Sequence, residues 1–334
     1  MEKMLEFTPR DLERKGQLRD GNGTYLMLGL SNLCNLRCIK CCNSFGYVPR
    51  PVDRLLSLEE TLDIIADANN FLGCRVVVFP GEGEPLLIPG FRNVIEYVNN
   101  LGLGSLLFTN GTLLDADYAK FLKENNTSII FSIDSLKKDS YNYLTGSYLY
   151  DTMMKNVIKC SEIYAGSTRI ENGVQTYKLA VNAVINSLNI DELSDIKQFC
   201  DDNGIMFICN YPMKEGNAKR FENSLIVSDE DYKRFMDVCF EVSENHGFSG
   251  TTDKGECGYA NFGLSILCDG KIALPCAYAP QYVGHFEHYN TSSLLRKYLG
   301  VQKCLKEHSA EKGLEIRRCY IRHGFDEFRK KYLE

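Results

Sequence analysis

No stretch of about 18 uncharged apolar residues occurs in the sequence, so nothing in it reads as a membrane-spanning helix. The opening segment, MEKMLEFTPRDLERKG, lacks the apolar core of a secretory signal. A basic excess is missing too: with 38 Lys and Arg against 44 Asp and Glu the formal net charge is −6, which leaves no electrostatic footprint for nucleic acid. The 5 histidines form no motif with one another, and His285 and His288 read as surface or substrate-side groups. There is no internal repeat and no low-complexity segment. These absences point to a cytoplasmic globular protein without nucleic-acid or membrane partners.

What is present in excess is cysteine. Fourteen cysteines are many for a reducing compartment, where disulfides rarely persist. Cys34, Cys38, Cys41 and Cys42 crowd one segment, and Cys257, Cys268, Cys276, Cys304 and Cys319 lie in the last quarter, which suggests two metal sites. Cys74, Cys160, Cys200 and Cys239 fall in apolar stretches, where a free thiol acts as a small buried hydrophobe.

Apolar residues make up 44 % of the 334, enough for one large barrel and an appendage. Strand-like runs at 25–30, 75–79, 105–108, 128–133, 178–185 and 205–210 alternate with helical patterns, including one opened by the capping-box pair Ser57 and Glu60. The expected fold is α/β, a partial (β/α)6 parallel barrel over residues 25–215. An N-terminal extension (1–24) precedes it, and a polar helical linker (216–250) leads to a small C-terminal hairpin-plus-helix cluster-binding module (251–334). In that module two short strands flank an Asp269-Gly270 turn. Functional residues of parallel barrels sit on loops at the C-terminal strand ends.

Cys34-x3-Cys38-x2-Cys41 follows the first strand directly. Three thiolates on a four-iron cubane leave one iron open to a further ligand. A structural zinc site usually shows paired Cys-x2-Cys or Cys/His spacings and four ligands, and Cys38 with Cys41 is the one such pair here. Adjacent Cys42 cannot easily reach a cubane already held by three.

With these motifs the sequence resembles the radical S-adenosylmethionine (SAM) superfamily. Gly81-Glu82-Gly83-Glu84-Pro85 after the second strand is similar to the segment that binds the SAM amino group. Thr109-Asn110-Gly111-Thr112 after the third resembles the family's Thr-Asn-Gly turn. Ser132 and Asp134 after the fourth resemble the segment that meets the SAM ribose and carboxylate, and Asn182, with Asn189 and Glu192, resembles further nucleoside contacts. Each could also be a plain turn or helix cap. The resemblance implies a [4Fe-4S] cluster that binds SAM through the open iron and breaks its C–S bond with one electron. The resulting 5′-deoxyadenosyl radical takes hydrogen from a substrate carbon, and a reducing partner such as flavodoxin or ferredoxin supplies the electron. Two departures stand out. Lys40 occupies the position before the third cysteine, where relatives carry an aromatic residue. The segment Tyr143-Leu144-Thr145-Gly146 lacks the basic residue that usually meets the SAM carboxylate, so Arg37, Lys40 or Lys137 would have to substitute.

The tail resembles the Twitch and SPASM auxiliary-cluster domains. That resemblance implies a second [4Fe-4S] cluster on Cys257, Cys276, Cys304 and Cys319, although the last two stand further apart than in relatives and four thiolates could equally hold zinc. Cys268 is a spare thiol or an alternate ligand. Twitch-bearing relatives include an aminocyclitol dehydrogenase, amino-sugar and peptide epimerases and a nucleotide cyclase. The expected activity is therefore dehydrogenation or epimerisation of an amino sugar or aminocyclitol in natural-product biosynthesis. Modification of a ribosomal peptide is the runner-up, and a non-catalytic iron–sulfur electron carrier is the alternative of another class. For epimerisation the natural hydrogen donor is a thiol; Cys209, at the end of the sixth strand, is the first candidate, with a buried core thiol as its alternative, and Cys268 at the hairpin turn is the second.

Overall fold

The computed structural model describes residues 2–18, 24–45, 48–49, 52–210, 215–225, 262–274 and 281–285. It begins with β1 (Glu2–Leu5) and α1 (Pro9–Arg14), then enters the barrel at β2 (Tyr25–Leu28). A two-residue ladder, β3 (Ser44–Phe45) with β4 (Val48–Pro49), follows the cysteine segment. The chain then alternates: α2 (Leu58–Asp67), β5 (Val76–Phe79), α3 (Phe91–Asn100), β6 (Gly104–Thr109), α4 (Ala116–Glu124), β7 (Thr127–Ser132). Helices α5 (Lys138–Thr145) and α6 (Tyr150–Tyr164) come next, then β8 (Arg169–Glu171), β9 (Val174–Tyr177), β10 (Leu179–Val184), α7 (Leu193–Asp202) and β11 (Met206–Asn210).

Strands β2, β5, β6, β7, β10 and β11 lie side by side in that order, every pair parallel. They are the six apolar runs read from the sequence. Each is buried on both faces, as a parallel sheet covered by helices requires. Alternate side chains go to opposite sides. Val76, Val78, Leu106, Ile130, Ala180, Met206 and Ile208 fill the inside with Tyr25, while Val77, Phe79, Leu107, Phe131, Val181, Phe207 and Cys209 pack with helix residues such as Ile64, Ile65, Val94 and Ile196. Ser57 and Glu60 form the capping box at the start of α2, with bonds of 3.1 and 2.8 Å.

The N-terminal segment is an integral part of this core. Leu5, Phe7 and Leu12 join Tyr177 and the interior barrel residues, and β1 pairs parallel with β9, which turns through Asn172 and Gly173 onto β8. This small sheet and α1 plug the end of the barrel where its strands begin.

The expected hairpin forms as β12 (Gly263–Ile266) and β13 (Lys271–Leu274), after the short helices α8 (Gly216–Arg220) and α9 (Glu222–Leu225). It does not stand apart. Strand β12 pairs parallel with β2, as a seventh parallel strand of the barrel sheet, and β14 (Gln281–His285) continues the sheet beyond β13. Among the described residues no helix is long and apolar enough to cross a membrane.

Candidate active site

The cysteine segment leaves the C-terminal end of β2 and is clamped from three directions. Glu84 N donates to Leu33 O at 2.7 Å, Arg37 N and Ile39 N donate to Thr145 O and Leu144 O at 2.8 and 3.0 Å, and Asn217 donates to Cys41 O from its backbone and to Cys38 O from its side chain. Gly83 permits the first clamp: a Cβ there would stand 2.1 Å from Leu33 O, backbone that cannot move aside.

Cys34, Cys38 and Cys41 are half-buried cysteines. Burial pushes the Cys34 and Cys38 thiols above the ordinary cysteine value, and each is raised further by the charge of its neighbours in the triad. Among the described residues no three His, Cys, Asp or Glu side chains converge as ligands of one metal ion would. A cubane needs no such convergence, because each thiolate binds a different iron. Cys42 is driven upward in the same way, chiefly by burial.

Around this loop lie the other predicted segments. A cleft between the ends of β2 and β5 is lined by Leu30, Ser31, Gly81, Glu82, Gly83 and Pro85. The Glu84 carboxylate turns away from it. Buried, with its pKa raised by that burial, it accepts from Thr109 Oγ1 at 2.7 Å, Asn110 N at 2.8 Å and Leu86 N at 3.3 Å. Glu84 thus ties its own loop to the Thr109 turn. Glu82 reaches the other way, accepting from Cys268 N at 2.6 Å. Gly29 makes room for that contact, since a Cβ there would lie 1.9 Å from Glu82 Oε2.

Asn110 faces the cysteine loop, with Nδ2 3.9 Å from Cys34 Sγ and 2.9 Å from Asn35 Oδ1. On the far side of the mouth Lys40 forms a buried ion pair with Asp134, and its ammonium donates to Ser132 Oγ at 3.0 Å. The second Asp134 oxygen accepts from Val184 N at 2.8 Å. Asn182 Oδ1 accepts from Asn210 Nδ2 at 2.6 Å on the neighbouring strand. Asn189 and Glu192 are buried braces: Asn189 donates to Asp134 O and Val184 O, and Glu192 accepts from Ser135 Oγ and Leu136 N. Of the cations that could meet a SAM carboxylate, Arg37 is folded onto Cys34 O and Leu36 O, and Lys137, largely exposed, stands 3.7 Å from Glu192. Lys40 alone of the three has its ammonium at the mouth.

For Cys209, the candidate hydrogen donor with a buried core thiol as its alternative, the packing is that of a core thiol. It lies on β11 two residues after Phe207 and packs with it on the helix side of the sheet, 2 % exposed, so strand alternation turns its thiol away from the barrel interior. Asn35, Asn210 and Asn217 complete the site without having been singled out in the sequence. Asn35 lies inside the cysteine motif, a signal that was legible; Asn217 has none. Cys257, Cys276, Cys304 and Cys319 lie outside the described residues.

A partial parallel barrel with a three-thiol loop at the end of its first strand defines a class of iron–sulfur barrel proteins. Residues 28–170 match the Radical SAM superfamily. The GTP 3′,8-cyclase of Alkaliphilus oremlandii is 30 % identical over 209 residues, 62 % of this chain and 62 % of the cyclase, so the match spans about three fifths of that relative. The GTP 3′,8-cyclase of Clostridium botulinum strain Okra is 27 % identical over 291 residues, 81 % of this chain and 86 % of the relative. In fold the chain is similar to Streptococcus suis SuiB bound to its precursor peptide SuiA, with a TM-score of 0.55 at 17 % identity over 88 % of this chain and 71 % of that one. It is also similar to anSMEcpe with bound AdoMet, with a TM-score of 0.52 at 19 % identity over 84 % and 83 %.

Proposed function

We propose that the chain is a radical SAM enzyme that dehydrogenates a small polar molecule, an amino sugar or aminocyclitol. The observation that carries the first half is the meeting of Cys34, Cys38 and Cys41 with the Gly81–Pro85 loop and the Thr109–Asn110 turn at one end of the barrel. A [4Fe-4S] cluster on the three thiolates would supply the electron that breaks a C–S bond of SAM. The carbonyls of the Gly81–Pro85 loop would accept from the SAM ammonium, and Lys40 would face its carboxylate. The polar, mostly uncharged ring of Ser132, Asn182 and Asn210 supports a hydroxyl-bearing substrate, because each can donate to or accept from hydroxyl groups. With Cys209 on the helix side of the sheet, epimerisation would need another thiol, such as Cys268 at the hairpin turn, whereas loss of the radical's electron to a second cluster, the dehydrogenase reading, needs no hydrogen donor.

The second reading is a nucleotide substrate, favoured by the cyclases among the curated relatives.

The test of the common core is release of 5′-deoxyadenosine from SAM and dithionite by anaerobically reconstituted protein. Replacing Cys34, Cys38 and Cys41 by Ala should abolish it; release by the triple variant would overturn the reading. If Cys257, Cys276, Cys304 and Cys319 hold a second cubane, that variant keeps about half of roughly eight irons per chain. Zinc in its remaining site would remove the auxiliary cluster and the oxidative step with it. In heavy water, turnover should give an oxidised product carrying no carbon-bound deuterium; deuterium at the abstracted carbon would mean epimerisation.

A further inference from the structure

We infer that Asn110 tunes the reduction potential of the barrel cluster by donating a hydrogen bond to the Cys34 sulfur. The inference rests on the reading that Cys34, Cys38 and Cys41 hold a [4Fe-4S] cluster. It concerns the amide of Asn110, whose contacts in the folded chain are unusually well determined.

Two N–H groups aim at Cys34 Sγ: Leu36 N at 3.4 Å, from within the cysteine loop, and Asn110 Nδ2 at 3.9 Å, from the turn after β6. The second comes from a distant part of the chain, and the rest of its side-chain amide and its backbone N–H are committed. Asn110 Oδ1 accepts from Thr112 N at 2.9 Å and Thr112 Oγ1 at 2.6 Å. Nδ2 gives its other hydrogen to Asn35 Oδ1 at 2.9 Å, and Asn35 Nδ2 donates onward to Thr112 Oγ1 at 2.8 Å. The backbone donor of Thr112 fixes which way the amide points, because a reversed Asn110 would set an NH2 group against that N–H. The Asn110 backbone N–H is held by the buried Glu84 carboxylate at 2.8 Å. The donor is therefore rigid, and with Asn110 7 % exposed it is also shielded from water.

Hydrogen bonds to the sulfurs are among the factors that set iron–sulfur potentials. An N–H dipole aimed at a ligand sulfur stabilises whichever cluster state carries more negative charge, and one-electron reduction adds that charge. The electron comes from an external one-electron donor such as dithionite or reduced flavodoxin. Asn110 thus makes the cluster easier to reduce, and removing its N–H makes reduction harder. Glu84 and Thr112 act through it as positioning residues, which gives the Gly81–Pro85 loop an influence on the electron as well as on the SAM ammonium.

The test is a potentiometric titration of the reconstituted full-length protein without SAM, read by electron paramagnetic resonance of the cluster whose signal SAM perturbs. Asn110→Ala should lower the ratio of reduced to oxidised cluster at fixed poise by about threefold to tenfold; tenfold is about 59 mV for one electron. Asn110→Asp keeps the acceptor for Thr112 and turns a negative oxygen toward Cys34, so its ratio should fall further. It also keeps the turn's shape should the Ala variant lose iron. Wild-type potential in iron-replete Asn110→Asp overturns the inference alone. Absence of any SAM-perturbed [4Fe-4S] signal in the wild-type protein overturns the reading beneath it, and the inference with it.

Discussion

Lys40 carries a charge into a place where an isolated charge is forbidden. Its side chain is 9 % exposed and that of its partner Asp134 3 %, and Asp134 is also anchored to β10 through Val184 N. Burying the pair costs solvation that their attraction offsets, but removing one member leaves the other charged and alone. Lys40→Met should therefore destabilise the metal-free protein by about 3–5 kcal/mol, and adding Asp134→Asn should restore most of it, because the asparagine still accepts from Val184 N. Thermal unfolding of the two variants decides this; a Lys40→Met protein as stable as wild type would mean that water reaches Asp134. The same logic explains why the lysine can occupy a position where relatives place an aromatic ring: Ser132 and Asp134 supply acceptors that a ring would leave unused.

At the scale of elements, what was legible follows from burial. Val76–Phe79 and its fellow barrel strands are apolar on both faces, so each stands out as a run between turn residues, and Ser57 with Glu60 marks the start of α2 by local chemistry alone. The same two-faced burial hid which face is which, and so Cys209 was expected at the mouth. The N-terminal plug was missed for another reason. Its strand β8 is exposed throughout and shows no alternation, and the chain turns at Phe7 with φ 67°, a conformation that a non-glycine residue rarely announces. Asn172-Gly173, the hairpin signal between β8 and β9, was there to be read. Asp11 holds the Phe7 turn by accepting from Phe7 N at 2.9 Å, with Lys15 also 2.9 Å away. Burial nevertheless raises its pKa above the ordinary 3.8, so the folded state favours the protonated acid. Its contribution is then fully present below that ordinary value and is lost as pH rises through the raised one. Asp11→Asn should accordingly gain on wild type in melting temperature between about pH 4 and pH 7. A difference that moves the opposite way would mean that the Lys15 ion pair outweighs burial.

For the whole molecule the consequential contact is the one between the hairpin and the barrel. A detachable C-terminal module would leave the edge of β2 free, yet β12 occupies it from Tyr25 to Leu28, and Gly29 N extends the ladder to Ile266 O at 2.8 Å. The hairpin turn is then bolted twice more, by Leu56 N to Cys268 O at 2.8 Å and by Cys268 N to Glu82 at 2.6 Å. Both bolts fall beside the loop that leads to the three thiols. An exposed edge strand with unpaired N–H and C=O groups invites pairing with other chains, so the barrel and the hairpin should unfold together. A chain ended after residue 225 should aggregate or melt well below the full-length protein, and its Gly29 amide, which donates to Ile266 O, should lose protection against hydrogen exchange. Glu82→Ala, which cuts one bolt and leaves the strand pairing, should weaken SAM binding with a smaller change in melting temperature. If the truncated chain keeps both its melting temperature and the protection of the Gly29 amide, the hairpin is an appendage, and the link from the C-terminal strands through Glu82 to the cleft carries nothing.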